Sequence, residues 1–388
     1  MLDISTGQAG AGCSRELPVQ SQSDLDSISN CQTFTGTITI ANLGIPTITL
    51  AGVQVINGNL LLANNLNTAR VSFPNLQGVT GQLSITNHTV MSTLDMPALT
   101  DVDSFSVLVA PALDALVFPQ GLNQVNSLHI ADTYITKAAG LSFTRATSVI
   151  VSNNLYLKLV DLPRLELTKG IYVTANGQNS VDAPNLTTIN NGTFDNVGAL
   201  NLPSLSTVEG DLSFNQNAFQ SLTFSNLTRI GGTLTIIANN QLANLSMPSL
   251  SFLGGALSIV NNTNLRSIIG FPQLQEVDGT VDVTGAFDSF QLPNINDVRG
   301  SMNVQTTSNQ FKCSSIDGWQ NGVVKGNGYV CKAAVANPKT GMDQPGAVGS
   351  QHSGGTSSRV SATSGIGRSA SWAVAGIVTV SVGFSAFI

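Results

Sequence analysis

Apolar residues at alternate positions, followed by a polar turn, recur along most of the chain. Gly58-x-Leu60-x-Leu62 leads into Asn64 and Asn65, and Gly81-x-Leu83-x-Ile85 leads into Asn87. The unit returns as Gly210-x-Leu212-x-Phe214, Gly232-x-Leu234-x-Ile236 and Gly255-x-Leu257-x-Ile259. A two-residue apolar period predicts a short strand with one buried face. With the Gly slot as origin, rows fall at 36, 58, 81, 103, 126, 147, 169, 192, 210, 232, 255, 279 and 300. Nine of these 13 slots are Gly; the others are Asp103, Asn126, Thr147 and Lys169. The intervals are too long for hairpins, whereas parallel stacking lets each row bury its apolar residues against the next. A Pro-x-Leu element, as at Pro74/Leu76, Pro97/Leu99, Pro184/Leu186 and Pro248/Leu250, marks the return side. Proline there sets a corner and withholds no needed ladder donor. The pattern predicts a mainly β fold, a parallel β-solenoid of about 13 rows, roughly 60 Å long at a row spacing of about 4.8 Å.

Asparagines recur just past the strands, at Asn42, Asn64, Asn87, Asn153, Asn176, Asn215, Asn239 and Asn261. Turned outward they would form a sugar-binding row. Turned inward they would satisfy turn backbone groups that burial otherwise leaves unpaired. The fixed spacing favours the inward ladder. Asn87 and Asn261 also begin Asn-x-Ser/Thr sequons, which favours an outward position for those two.

The two ends differ from the repeat. The four cysteines fall only there, Cys13 and Cys31 in residues 1–31, and Cys313 and Cys331 in residues 311–331. Of the three connectivities that four cysteines allow, pairing within each end is the simplest. A solenoid exposes an apolar row at each terminus, so each of these segments reads as a disulfide-closed cap on the repeat of residues 32–310. A zinc site would need a Cys-x-x-Cys spacing that is absent.

Residues 332–371 are rich in Gly, Ser, Thr and Ala and read as a flexible stalk, followed by an uncharged apolar tail at 372–388. Small residues, a polar spacer and a hydrophobic tail make up a glycosylphosphatidylinositol (GPI) attachment signal, with Ser353, Gly354, Gly355 and Ser357 as candidate attachment residues. Such attachment follows secretion, so a signal peptide is expected. Residues 1–15 hold no apolar run of that kind, which places the expected signal upstream, through truncation or a misplaced start. Six sequons, at Asn87, Asn185, Asn191, Asn226, Asn244 and Asn261, are candidate N-glycosylation sites. Chance alone gives about seven, so they permit secretion without arguing for it.

Composition then narrows the chemistry. Net charge is −6, and the excess of acid up to Cys331 leaves no basic patch for nucleic acid. With three His and four Cys, no cofactor or metal set is suggested. Glycoside hydrolysis needs two convergent carboxyls. Asp101 with Asp103, and Asp278 with Asp282, are the nearest pairs, and neither has a matching set on an adjacent row. His88 and His129 have no nucleophile motif near them. No catalytic residue is expected, and the chain reads as not an enzyme.

The segment from Ser21 to Cys31, with Phe34-Thr-Gly36-Thr-Ile38 after it, resembles the amino end of fungal GPI-anchored cell-wall organisation proteins, a group that includes sporulation-specific wall proteins. Phe311-Lys-Cys313 and Gly326-Asn-Gly-Tyr329-Val-Cys331 are similar to that family's closing cysteine motif. The resemblance implies a right-handed, receptor L-domain-like or leucine-rich-like solenoid. It also implies a glycoprotein held at the plasma membrane by a GPI anchor or in the cell wall, needed for wall organisation and integrity. Its partners would be cell-wall glycans or wall proteins. The second reading is a receptor-like or carbohydrate-binding module, favoured by exposed aromatics. Tyr134, Tyr156 and Tyr172 lie in the degenerate rows, about 103–175, where a ligand site would interrupt the repeat.

Overall fold

The computed structural model describes residues 12–341. They form a parallel β-solenoid whose coil turns through three faces. On the first face, 13 strands from Ile38–Ala41 to Met302–Thr306 pair in parallel, one per row. Leu17–Val19 and Tyr329–Lys332 extend this face by one strand at either end. A second face carries short strands such as Thr47–Thr49, Arg70–Ser72 and Asn244–Ser246. A third runs through Thr33–Thr35, Val55–Asn57 and Phe252–Leu253.

The first face follows the period-2 pattern. Leu60/Leu62, Leu83/Ile85, Leu234/Ile236 and Leu257/Ile259 point inward and stack in register as one continuous core. The degenerate rows keep that register: Leu83 pairs with Phe105, Phe105 with Leu128, Leu128 with Val149, and Val149 with Ile171. The row placed at 192 is the exception. Gly192 pairs with Ile171 below and Leu212 above, so it occupies the buried leucine position and Asn190 is the true slot. The Gly192-Thr193-Phe194 sequence mimicked the repeat two residues out of phase. A Cβ on Gly192 would lie 2.9 Å from the Ile189 side chain and 3.0 Å from that of Leu212, so neighbours fill the missing volume.

The slot glycines are required by close approach. An added Cβ on Gly255 would sit 2.6 Å from the Gly232 carbonyl carbon, and one on Gly300 2.5 Å from that of Gly279. Backbone rests on backbone, leaving no room for a side chain. At the Pro-x-Leu corner, the Leu76 N–H donates to the Phe73 carbonyl (3.3 Å) and Leu250 to Met247 (3.2 Å), a turn with proline at its second position in 73–76.

Both ends are closed by disulfides. Cys13 pairs with Cys31 and Cys313 with Cys331, with Cα atoms 5.7 and 5.8 Å apart. At the amino end, the short helix Gln22–Asp26 places Leu25 over the first rows, and Ile28 is buried just after it. The Asp24 carboxylate accepts from the Gln20 and Ser21 N–H groups, which lowers its pKa. At the other end Phe311 packs against Phe287, and Trp319 against Phe290, edge to face.

Beyond the second cap, the chain returns along the first face of the last rows. Asn303 and Gln305 side-chain amides donate to the Lys339 carbonyl (2.8 and 3.1 Å), and the Gly341 N–H donates to Asp282 (3.0 Å). The segment assigned to the stalk by composition therefore starts with residues held against the solenoid, as far as Gly341. The rest of it, the apolar tail and the attachment candidates Ser353, Gly354, Gly355 and Ser357 lie outside the described residues.

Candidate functional site

The asparagines past the first-face strands separate into two adjacent columns. Asn42, Asn64, Asn87, Asn153 and Asn261 adopt positive φ and turn the chain at the corner, a role Asn tolerates better than most side chains. One residue later lies a buried column: Asn65, His88, Thr133, Asn154, Asn176, Asn217, Asn239 and Asn262. Each amide there bonds the row before, and Asn65, Asn154, Asn217 and Asn239 also bond the next ladder residue. The Asn239 Nδ2 donates to the Phe214 carbonyl (3.0 Å), while its Oδ1 accepts from the Asn217 N–H (2.9 Å). The inward ladder exists, but of the asparagines singled out from sequence only Asn176 and Asn239 belong to it. Ala110 and Val197 interrupt it.

His88 stands in the ladder where other rows have an amide. Its Nδ1 lies 2.9 Å from the Thr86 carbonyl, which can only accept, so Nδ1 carries the proton. Nε2 then accepts from the Asn65 amide at 3.0 Å. Burial lowers the pKa of this imidazole, which suits a neutral acceptor. His129 instead faces outward from the first face, paired with Ser106 and Ile150; partial burial lowers its pKa, opposed by Asp132.

The carboxylate pairs read from sequence do not converge. Asp278 is ion-paired with Arg299 at 2.7 Å, alongside Glu276 and Asp297. Asp282 accepts from Asn303 and from the Gly341 N–H. Asp101 accepts from the Thr100 hydroxyl (2.6 Å), and a register shift against the preceding row falls between Val102 and Ser104. Sequence inspection missed a different pair, Asp161 and Asp182, which stand in register on neighbouring second-face strands. Burial raises the pKa of Asp161, and Asp182 adds to this, while Asp182 accepts from the Asn201 amide at 2.7 Å. The signal was a matched position in successive rows, hidden by the irregular spacing of that face. Among the described residues no group of three or more acidic, His or Cys side chains is arranged to hold a metal ion.

The sequon asparagines distribute around the coil. Asn87 and Asn261 lie at the corner between the first and second faces. Asn185 and Asn226 lie at the Pro-x-Leu corner, their amides donating to the Pro163 and Pro203 carbonyls (2.6 and 2.9 Å). Asn191 projects from the first face and accepts from the Asp211 N–H, and Asn244 opens a second-face strand. Between Asn87 and Asn185 there is no sequon. That interval also holds eight of the ten large apolar side chains that stand exposed among the described residues, Val109, Tyr134, Leu155 and Tyr156 among them. Tyr134 and Tyr156 are about half exposed and meet edge to face with ring centres 5.2 Å apart. Tyr172 is less open, its ring folded back over Gly170.

The described residues thus form a capped, single-coil β-solenoid with a regular interior. Comparison with known proteins gives the family. The chain is 34% identical to a cell surface GPI-anchored protein of Arthroderma benhamiae, over 88% of both chains. It is 33% identical to Protein ecm33 of Aspergillus fumigatus, over 88% of this chain and 85% of that one. With the cell wall protein ecm33 of Schizosaccharomyces pombe it shares 32% identity over 85% of this chain and 79% of the relative. The chain belongs to this family of fungal GPI-anchored cell-wall proteins. No family model and no solved structure matches it.

Proposed function

We propose that this protein is a non-enzymatic, GPI-anchored cell-surface glycoprotein that acts in fungal cell-wall organisation. The observation that carries the reading is likeness, over 85–88% of the chain, to relatives named for the cell surface and the cell wall. Two disulfides fit the oxidising compartment that such a location requires. The engagement of Asp278 by Arg299, and of Asp282 by Asn303 and Gly341, supports display over catalysis. The rod would present its faces to wall glycans or wall proteins, anchored through one of Ser353, Gly354, Gly355 or Ser357, with glycans on some of the six sequons.

Two measurements test this. Membranes from cells expressing the native gene are treated with phosphatidylinositol-specific phospholipase, and release of the protein to the aqueous phase is expected. Deletion of the gene is expected to sensitise cells to wall-perturbing dyes. Cytosolic protein with free thiols, together with a deletion strain of normal wall resistance, would overturn the reading.

A further inference from the structure

The corner between the first and second faces carries a graded edge. Two residues past each positive-φ position the side chains run Pro111, Tyr134, Leu155, then Gly177, Gly198 and Ala218, before Asn240. The large-to-small change is forced where the rows touch. A Cβ on Gly177 would lie 2.4 Å from the Leu155 carbonyl oxygen, and one on Gly198 2.4 Å from that of Gln178. The result is a groove of about 400 Å³, lined among others by Gln178, Gln216, Asn240 and Gln241, with no charged residue in its lining. Leu155 and Tyr156 stand at the head of it, one row before Gly177, with Tyr134 one row earlier.

We propose that this edge binds a neutral polysaccharide, laid along the rod with pyranose rings against Tyr134 and Tyr156 and hydroxyls on the amides of the groove. The proposal rests on the wall-contact reading above. An aromatic ring offers an apolar face to the C–H bonds of a sugar. Side-chain amides both donate and accept, as hydroxyls do, and so match them without charge. An uncharged lining gives no counter-charge for an acidic polymer or a phosphate. No sequon asparagine lies on the edge itself: those at this corner, Asn87 and Asn261, bracket it, and Asn244 lies just beyond Gln241. Neutral glucan and neutral mannan share the recognised chemistry.

The full-length protein is titrated with fluorescent linear β-glucan and α-mannan oligosaccharides, and with an oligogalacturonate as the acidic comparator. At least one neutral probe is expected to bind, the tighter one identifying the source, and the acidic probe to bind at least tenfold more weakly. Tyr156→Ala should weaken binding at least tenfold and Gln241→Ala several-fold, whereas Ile269→Ala, an exposed apolar residue away from the edge, should leave it unchanged. The exposed positions allow all three variants to keep the parent thermal midpoint, which is measured alongside. If Tyr134→Ala/Tyr156→Ala binds as the parent does, the edge is wrong while glycan contact survives elsewhere on the rod. If the parent binds no neutral probe, the edge is also wrong. The wall-organisation reading then stands or falls on the deletion phenotype alone.

Discussion

The rows from Gly210 to Gly300 and those from Asp103 to Lys169 share one register but are built differently. In the former, each coil breaks between a two-residue third-face strand and a first-face strand of four or five residues, as at Arg229–Ile230 and Leu234–Ile237. In the latter, both faces merge into one strand of eight to ten residues, as in Asp101–Ala110, Gln124–Thr133 and Leu167–Thr174. The slot residue goes with the difference between these two sets of rows, although Gly81 sits within the merged strand Gly78–Thr86. Glycine lets the chain turn sharply with its backbone against the row below. Asp103, Asn126, Thr147 and Lys169 turn their side chains out to solvent, and the chain runs straight through. The straighter rows coincide with exposed apolar side chains and the absence of sequons.

The largest expected effect breaks this comparison at the slot itself. Gly255→Val must move backbone of the preceding row and should cost more than about 3 kcal/mol, read as a lower urea midpoint. Lys169→Ala, at the same slot in a middle row, should change stability by less than about 0.5 kcal/mol. Equal losses would show that the slot does not set the geometry.

The ladder gives the next largest effect. Asn239→Leu strands the Phe214 carbonyl and the Asn217 N–H in the core and should cost about 3 kcal/mol, measured by chemical unfolding. Of comparable size is Cys313→Ser, which opens the carboxy-terminal cap and should lower stability by about 2–5 kcal/mol.

Smallest is the effect of pH at His88. Its folded pKa lies below the ordinary value of 6.5, so its contribution is complete above that pH and declines as pH falls below it, because the unfolded chain binds the proton more readily. His129 contributes with the same sign. His88→Asn installs the amide used in other rows and should flatten part of the fall in thermal midpoint between pH 7.5 and 5. An unchanged pH profile would remove His88 from the account.

Much of this was legible because the rows repeat. Leu60/Leu62 and Leu257/Ile259 declare buried strands by period alone, and the paired cysteines at the ends mark where stacking stops. Gly192 misled because a glycine two residues before Phe194 looks like a slot, whereas it takes the buried position that leucine holds in other rows. The asparagine columns were read as one because turn and ladder positions are adjacent, and Asn occupies both for different reasons. The edge groove was invisible for a further reason. It depends on Gly177, Gly198 and Ala218 falling in one line although they are 21 and 20 residues apart, a relation that only the stacked rows establish.

The central claim is that the exposed tyrosines of the straight middle rows meet the wall. Its most direct test is complementation of a deletion strain at matched surface levels, comparing Tyr134→Ser/Tyr156→Ser with Ile269→Ser under wall stress. The account predicts that the tyrosine variant, folded and displayed, fails to restore resistance while the isoleucine variant restores it fully. Equal rescue by both would contradict it.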